Sequence, residues 1–317
     1  MRTRIYIDGY NFYYGCLKGT PYKWLDLVKL FEEHIIPRSD VYNATLHDNV
    51  GIKYFTAEIT NKAAADPNSV NDQRSYHHAL YLHSENLLKT IKGSYAVDKV
   101  EYPKVEYYEA GIEKEPKDCA RVKVWKLEEK QSDVNIAIEA VYDAVMDHTL
   151  EQIIFVTNDT DIVPALEKIR EHNQKSLRSP IKIGLVIPSK ENNEYRKPNK
   201  SLSNLADWTV KYIKNSELSE SQLPCRIAGR KSSAIKPTSW FKYNQKVEEI
   251  LEILTASDVL KTIPRAWRWL SEPKPEVKDL PILTSTPDQL LDCEKDIEDV
   301  LEHVKAFALY MREKNKS

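Results

Sequence analysis

The chain has 317 residues, 41% of them apolar and 30% charged, with acids and bases nearly cancelling at net −2. That length suggests a main domain with an appendage, and the balanced charge gives no overall field to attract a polyanion, although it leaves a local basic patch open. The four cysteines, Cys16, Cys119, Cys225 and Cys293, never stand at C-x-x-C spacing, which argues against a zinc site and for reduced thiols.

No apolar run approaches the ~18 residues of a membrane span. The N-terminal "MRTRIYIDG" reads as a strand rather than a signal peptide, so a cytoplasmic protein with no membrane association is expected. "TRIYID" predicts a buried strand that ends at Asp8 and turns at Gly9 into a loop. "YKWLDLVKLFEEHI" carries Trp24, Leu27, Val28, Leu30 and Phe31 at helical spacing. "VGIKYFTAEI" is strand-like, and residues 72–91 predict a helix with Tyr76, Leu80, Leu87 and Leu88 inward. Residues 104–111 and 121–129 predict strands, and 132–149 a helix. "QIIFVT" is a strand followed by the helix "DIVPALEKIREHN", and "IKIGLVIP" is a fully apolar strand. This alternation predicts an α/β fold with a mainly parallel sheet and helices on both faces. After about residue 210 the chain turns polar. The expected division is a main domain over 1–225, a linker over 226–236 and a small helical appendage over 237–317, ending in a long amphipathic helix over 288–314.

In such sheets ligands bind outside the carboxyl ends of the strands. Asp8 follows the first strand, and Asp159 and Asp161 follow "QIIFVT". Asp133 opens a helix whose stripe of Ala137, Ala140 and Ala144 lets it lie close to the sheet. The plain alternative is helix capping, which suits Asp133 and one of Asp159 and Asp161, but not Asp8, after which a loop is expected. Two unit charges ~4 Å apart cost roughly 4 kcal/mol at an effective dielectric of ~20, against a total stability of order 5–15 kcal/mol. Convergence therefore implies either protonated aspartates or a bound cation. Carboxylate oxygens suit Mg²⁺ or Mn²⁺, which activate water and clamp phosphate.

Together "YIDGYNFYYG", "KQSDVNIAIEAV" and "TNDTDIVPAL" resemble the NYN domain family, of the LabA/DUF88 type, within the PIN-like nuclease superfamily. The resemblance covers about residues 1–225 and includes the later "SLSNLADWTVKYI". It implies a PIN-like, Rossmann-like sheet and a metal-dependent ribonuclease acting on RNA, expected to be single-stranded. Asp8, Asp133, Asp159 and Asp161 would be its catalytic and Mg²⁺- or Mn²⁺-binding residues. Asn11 would orient water or phosphate, and Thr157 stands where the family usually has Ser. Gln131 and Asn158 replace family glycines. The other reading is a non-catalytic RNA-binding or regulatory protein that keeps the fold. A haloacid-dehalogenase-type phosphatase fits less well, because Gly9 and Tyr10 follow Asp8 where a second Asp is needed two residues on.

Lys130, Asn158 and Arg74 are further candidates for substrate contact, each also readable as an ordinary solvated side chain. His77, His78 and His83 are more simply stacked or solvated histidines. The loop with Lys190, Tyr195, Arg196, Lys197 and Lys200 combines charge and an aromatic as single-strand binders do, and is otherwise a solvated loop. Trp240, Trp267 and Trp269 read as the core of the appendage, whose helices could also meet a second copy or a protein partner.

Overall fold

The computed structural model describes residues 1–315 except 40, 42, 63, 65 and 194. The alternating pattern folds into an α/β architecture with a mainly parallel seven-stranded sheet flanked by helices. β1 (Arg2–Asp8) runs straight into α1 (Gly9–Phe12), which continues as a π-type turn over Tyr13–Leu17. α2 (Leu27–Lys29), capped by Asp26, extends helically to Arg38. The short β2 (Thr45–Leu46) and β3 (Ile52–Thr56) precede α3 (Ser69–His83) and β4 (Leu88–Lys92). β5 (Ser94–Pro103) and β6 (Arg121–Lys130) pair antiparallel with each other as a two-stranded arm. α4 (Ser132–Met146), β7 (Gln152–Val156), α5 (Val163–Lys175), β8 (Lys182–Val186), α6 (Lys200–Ser203) and β9 (Trp208–Val210) complete the unit.

The strands lie in the order β4-β3-β1-β7-β8-β9, all parallel, with β2 beside the start of β1. β3 and β7 are buried at every residue; β7 accordingly reads as an almost continuous apolar run, while β3 carries Lys53, paired inside with Glu139 and Asp143. Side chains still alternate between two cores: Ile5, Ile7, Ile154 and Val156 pack with Trp24, Phe31 and Tyr76 on one face, and Tyr6, Ile153 and Phe155 with Ile136 and Ala140 on the other. From β1 the chain builds outward to β3 and β4, then returns to β7 on the other side. The topological switch point therefore lies between β1 and β7.

Several boundaries differ from expectation. The helix expected over 72–91 stops at His83; Glu85 takes the left-handed conformation at φ 50, and Leu88 opens β4 opposite Ile52. The expected strand over 104–111 is the tip of the arm, while the preceding residues form β5. After α7 (Asn215–Glu220), the stretch read as a linker carries β10 (Arg226–Ile227) and β11 (Ala234–Ile235), whose Ile227 and Ala234 enter the first core and whose Ile235 carbonyl accepts from Ser75 Oγ at 2.6 Å. α8 (Asn244–Thr255), α9 (Ile263–Leu270), α10 (Pro287–Leu290) and α11 (Asp296–Lys314) build a third core around Leu251, Trp267, Val300 and Val304. The long helix expected over 288–314 is thus two helices. Trp267 is in this core with Trp269 against it, whereas Trp240 packs on Trp24 and Tyr76 of the first core. No described helix is long and apolar enough to cross a membrane.

Candidate active site

Because β1 and β7 are neighbours, Asp8 and Thr157 meet at the carboxyl edge of the sheet, at the switch point. Gly9 follows Asp8 because a Cβ there would lie 2.5 Å from the Phe55 carbonyl oxygen. The chain turns at once into α1, and Asp8 is its N-cap: Oδ1 accepts the Asn11 N–H at 2.9 Å. The other Asp8 oxygen accepts from the Thr157 hydroxyl at 2.9 Å, and Thr157 Oγ1 accepts the Asp159 N–H at 3.1 Å. Asp159 in turn accepts the Asp161 N–H at 3.0 Å. Capping, expected for Asp133 and not for Asp8, is reversed. Asp133 sits inside the first turn of α4, behind Gln131 in the left-handed conformation at φ 77.

Burial pushes the Asp8 carboxyl up to about 7; the Asn11 and Thr157 hydrogen bonds oppose the rise, and the charges of Asp133 and Glu129 add to it. Asp133 is also raised, by burial and then by Asp159 and Asp161. Glu129, at the end of β6, is raised by burial, opposed by a hydrogen bond from the Ser132 hydroxyl and reinforced by Asp133. Five carboxylates therefore share one edge. Glu129 was not singled out from the sequence because only the return of the arm brings it there.

These acids do not form a metal centre. Among the described residues no group of three or more His, Cys, Asp or Glu side chains is placed to hold an ion. The expected Mg²⁺ or Mn²⁺ site at Asp8, Asp133, Asp159 and Asp161 is not built; Asp8 and Asp159 instead accept hydrogen bonds from Asn11, Thr157 and Asp161.

Aromatic and basic groups complete the rim. Tyr10 and Tyr14 are exposed on α1 with ring centroids 4.5 Å apart, and Tyr13 meets Tyr14 edge-on at 5.2 Å. The Tyr10 hydroxyl is pushed up to about 12 by burial, then by its hydrogen bond with Tyr14 and the nearby Tyr95 and Glu129. The Lys18 ammonium lies 4.6 Å from the Tyr14 ring centre. Arg196 Nη2 donates to Asn11 Oδ1 and, at 3.4 Å, to the Asn11 carbonyl, while its Nε is buried without a partner. Asn158 holds the same loop, donating to the Lys197 carbonyl at 3.0 Å and accepting the Asn199 N–H at 2.9 Å. Asn11 and Asn158 are thus engaged as clamps for this loop. Of the remaining candidates, Lys130 pairs with Asp98 at 3.7 Å on the arm and Arg74 with Glu58 at 3.8 Å.

No family model matches the chain. A solved structure of a protein of unknown function from Vibrio parahaemolyticus covers 68% of this chain and 93% of its own at 17% identity and a TM-score of 0.36, a likeness too loose to argue from. The 6-hydroxy-3-succinoylpyridine 3-monooxygenase HspA of Pseudomonas putida is 41% identical over 280 residues, 86% of this chain and 85% of that enzyme. That stretch is longer than either the sheet unit or the C-terminal helices alone. It overturns the expectation of an RNA-cleaving hydrolase dependent on Mg²⁺ or Mn²⁺, and the non-catalytic alternative with it, since the relative is an oxygenase. By this extent of shared sequence, the chain belongs to the enzyme family of 6-hydroxy-3-succinoylpyridine 3-monooxygenase.

Proposed function

We propose that the protein is a monooxygenase acting on a hydroxylated pyridine, or a close heteroaromatic analogue, that carries a carboxylate side chain. The relative supplies the reaction class. The observation that carries the reading to this site is the buried Asp8, with its carboxyl near 7, beside the exposed Tyr10–Tyr14 pair. In a 6-hydroxypyridine, C3 lies para to the hydroxyl, and in the relative's substrate C3 already carries the acyl chain. Removing the hydroxyl proton places electron density on C3, where an electrophilic oxygen attacks. The C3–O bond forms and the C3–acyl bond breaks, which restores the aromatic ring. The acyl carbon leaves as an acid when two electrons are supplied, or as an aldehyde when two more are. A base that titrates near neutrality suits that proton transfer. Asp8 is assigned as the base, Tyr10 and Tyr14 as the stacking surface for the ring, and Arg196, whose guanidinium reaches the rim beside Asn11, as the anchor for the carboxylate. The NYN-like order of Asp8-Gly9-Tyr10-Asn11, Asp133 and Asp159 supports reading the scaffold as a PIN-like sheet put to oxygenation.

Monooxygenation places one atom of dioxygen in the product and reduces the other to water with two electrons from an external donor, commonly through a flavin. The β1–α1 turn does not fit a dinucleotide pyrophosphate. The Asp8 carboxylate fills the seat at the start of α1, Glu129 and Asp133 add like charge, and Gly15 is needed for packing because a Cβ there would run into the Pro188 carbonyl. This turn is therefore not the seat of a dinucleotide.

The test is oxygen uptake and loss of 6-hydroxy-3-succinoylpyridine with reduced nicotinamide, with and without added flavin. Arg196→Met should raise KM roughly 10–100-fold with kcat little changed, the equivalent of one charge-assisted hydrogen bond. Absence of substrate-dependent oxygen uptake under all these conditions would refute the assignment.

A further inference from the structure

The surface of α4 is inverted. Every exposed residue of this helix is apolar: Val134, Ile138, Tyr142, Val145 and Met146, each between 42% and 61% exposed. At ~3.6 residues per turn these positions fall within one stripe roughly 120° wide. The polar residues of the same helix point inward. Asp143 is buried against Arg4, Lys53 and Tyr6, and Glu139 pairs with Lys53. Ile136, Ala140 and Ala144, fully buried, already fill the face against the sheet. The stripe is therefore surplus to the packing of this chain, where a surface helix ordinarily presents charge to water.

The arm enters α4 directly through Gln131 and shares the same anomaly. Val122 and Val124 are exposed on one of its faces with Tyr102 across from Val122, and Trp125 and Leu127 on the other. A two-stranded hairpin standing by itself is marginally stable in water.

We propose that the α4 stripe and the β5–β6 arm form the interface of a two-fold symmetric homodimer, the arm of each copy lying along the other. The magnitudes require both parts. From the exposure of its five side chains the stripe offers on the order of 500 Å², short of the ~800 Å² per partner that a standard interface buries. The Trp125–Leu127 face of the arm adds roughly 200 Å² and brings the apolar total close to that figure. Charge favours a second copy as the occupant. Residues 94–130 hold nine acidic and eight basic side chains, several paired within the arm (Lys114–Glu106, Lys126–Glu128, Lys130–Asp98), so a second copy meets no net repulsion and a strongly charged partner gains nothing. An isologous contact also covers the strand edges of the arm in both copies. This surface differs from the C-terminal helices suggested by the sequence, and it stands independently of the oxygenase reading.

Sedimentation equilibrium of the full chain should give twice 36.7 kDa at micromolar concentration. Ile138→Asp, and separately Trp125→Ser, should each weaken the dimer at least ~100-fold, as central apolar anchors do, with the circular dichroism of the fold retained and a cooperative melt whose midpoint no longer rises with protein concentration. Leu309→Asp, at an exposed position of α11, should leave the dimer intact. Val134→Lys repeats the test should Ile138→Asp fail to fold. A monomer at every concentration, an unweakened dimer in the α4 variants, or loss of the dimer only in Leu309→Asp would each overturn the proposal.

Discussion

Replacing Asp8 by Asn removes a charge from the floor of the crevice while keeping an oxygen for the Asn11 N–H. In the folded protein the Asp8 carboxyl titrates at about 7, against an ordinary 3.8. Between those values the native state holds a proton that the unfolded chain has released. The stability contributed by this raised group is fully present below its unfolded value and is lost as pH rises through about 7. The whole loss approaches about 4 kcal/mol, of which ~2 kcal/mol falls between about pH 5.5 and 8.5. Asp8→Asn stays neutral throughout, so its stability relative to wild type should improve by ~2 kcal/mol across that interval. Urea denaturation of both proteins at the two pH values measures this, and taking the difference cancels groups the two share. As the base, Asp8 should give wild-type kcat that rises with pH through about 7, and Asp8→Asn should lose turnover while remaining folded. A stability difference that stays constant with pH, or a fully active Asp8→Asn, would refute the reasoning.

His77, buried and with its imidazole lowered to about 4 chiefly by burial, contributes stability that is lost as pH falls from about 6.5 towards 4. His77→Phe should flatten that acid limb in a thermal melt series. Asp143→Ala leaves Arg4 and Lys53 buried without their shared carboxylate and should cost about 3–5 kcal/mol in urea unfolding. Gly15→Ala forces a methyl into the Pro188 carbonyl, a backbone atom that cannot swing aside, and should cost at least about 1–3 kcal/mol and loosen the loop held by Arg196, measurable as faster proteolysis near residue 196.

The central strands were legible because burial on both faces demands unbroken apolar runs, as in Ile153–Val156 and Ile183–Val186. Ala140 and Ala144, read as a close-packing stripe, are fully buried. β2 and β9 were not legible, being two and three residues long at positions without periodicity. The end of α3 was missed because Leu87 and Leu88 continue its spacing from Leu80, and the break is set by Glu85, a residue type that gives no left-handed signal. At the site, the motif order placed Asp8, Asp133, Asp159 and Asp161 on one edge but not their bonding. A one-turn helix after Asp8 has too few residues to show a period, so its capping role was hidden. The tyrosines at positions 10, 13 and 14 have helical spacing, but spacing alone does not tell that their rings are exposed and in contact.

The position of β1 has a consequence for the order in which the molecule comes into being. It precedes every other strand in chain order, yet its long ladders run to β3 and to β7, the latter almost 150 residues later in the chain. Parallel pairing of this kind needs a large loop to close before any contact repays the closure. An emerging chain can zip β1, β3 and β4 together, but one flank of β1 stays bare until Val156 has left the ribosome. Until then Asp8 lacks its Thr157 hydrogen bond, so the crevice is completed in the same event that seals the sheet. The arm, inserted between those two moments of synthesis, pairs within itself and can form while the sheet waits.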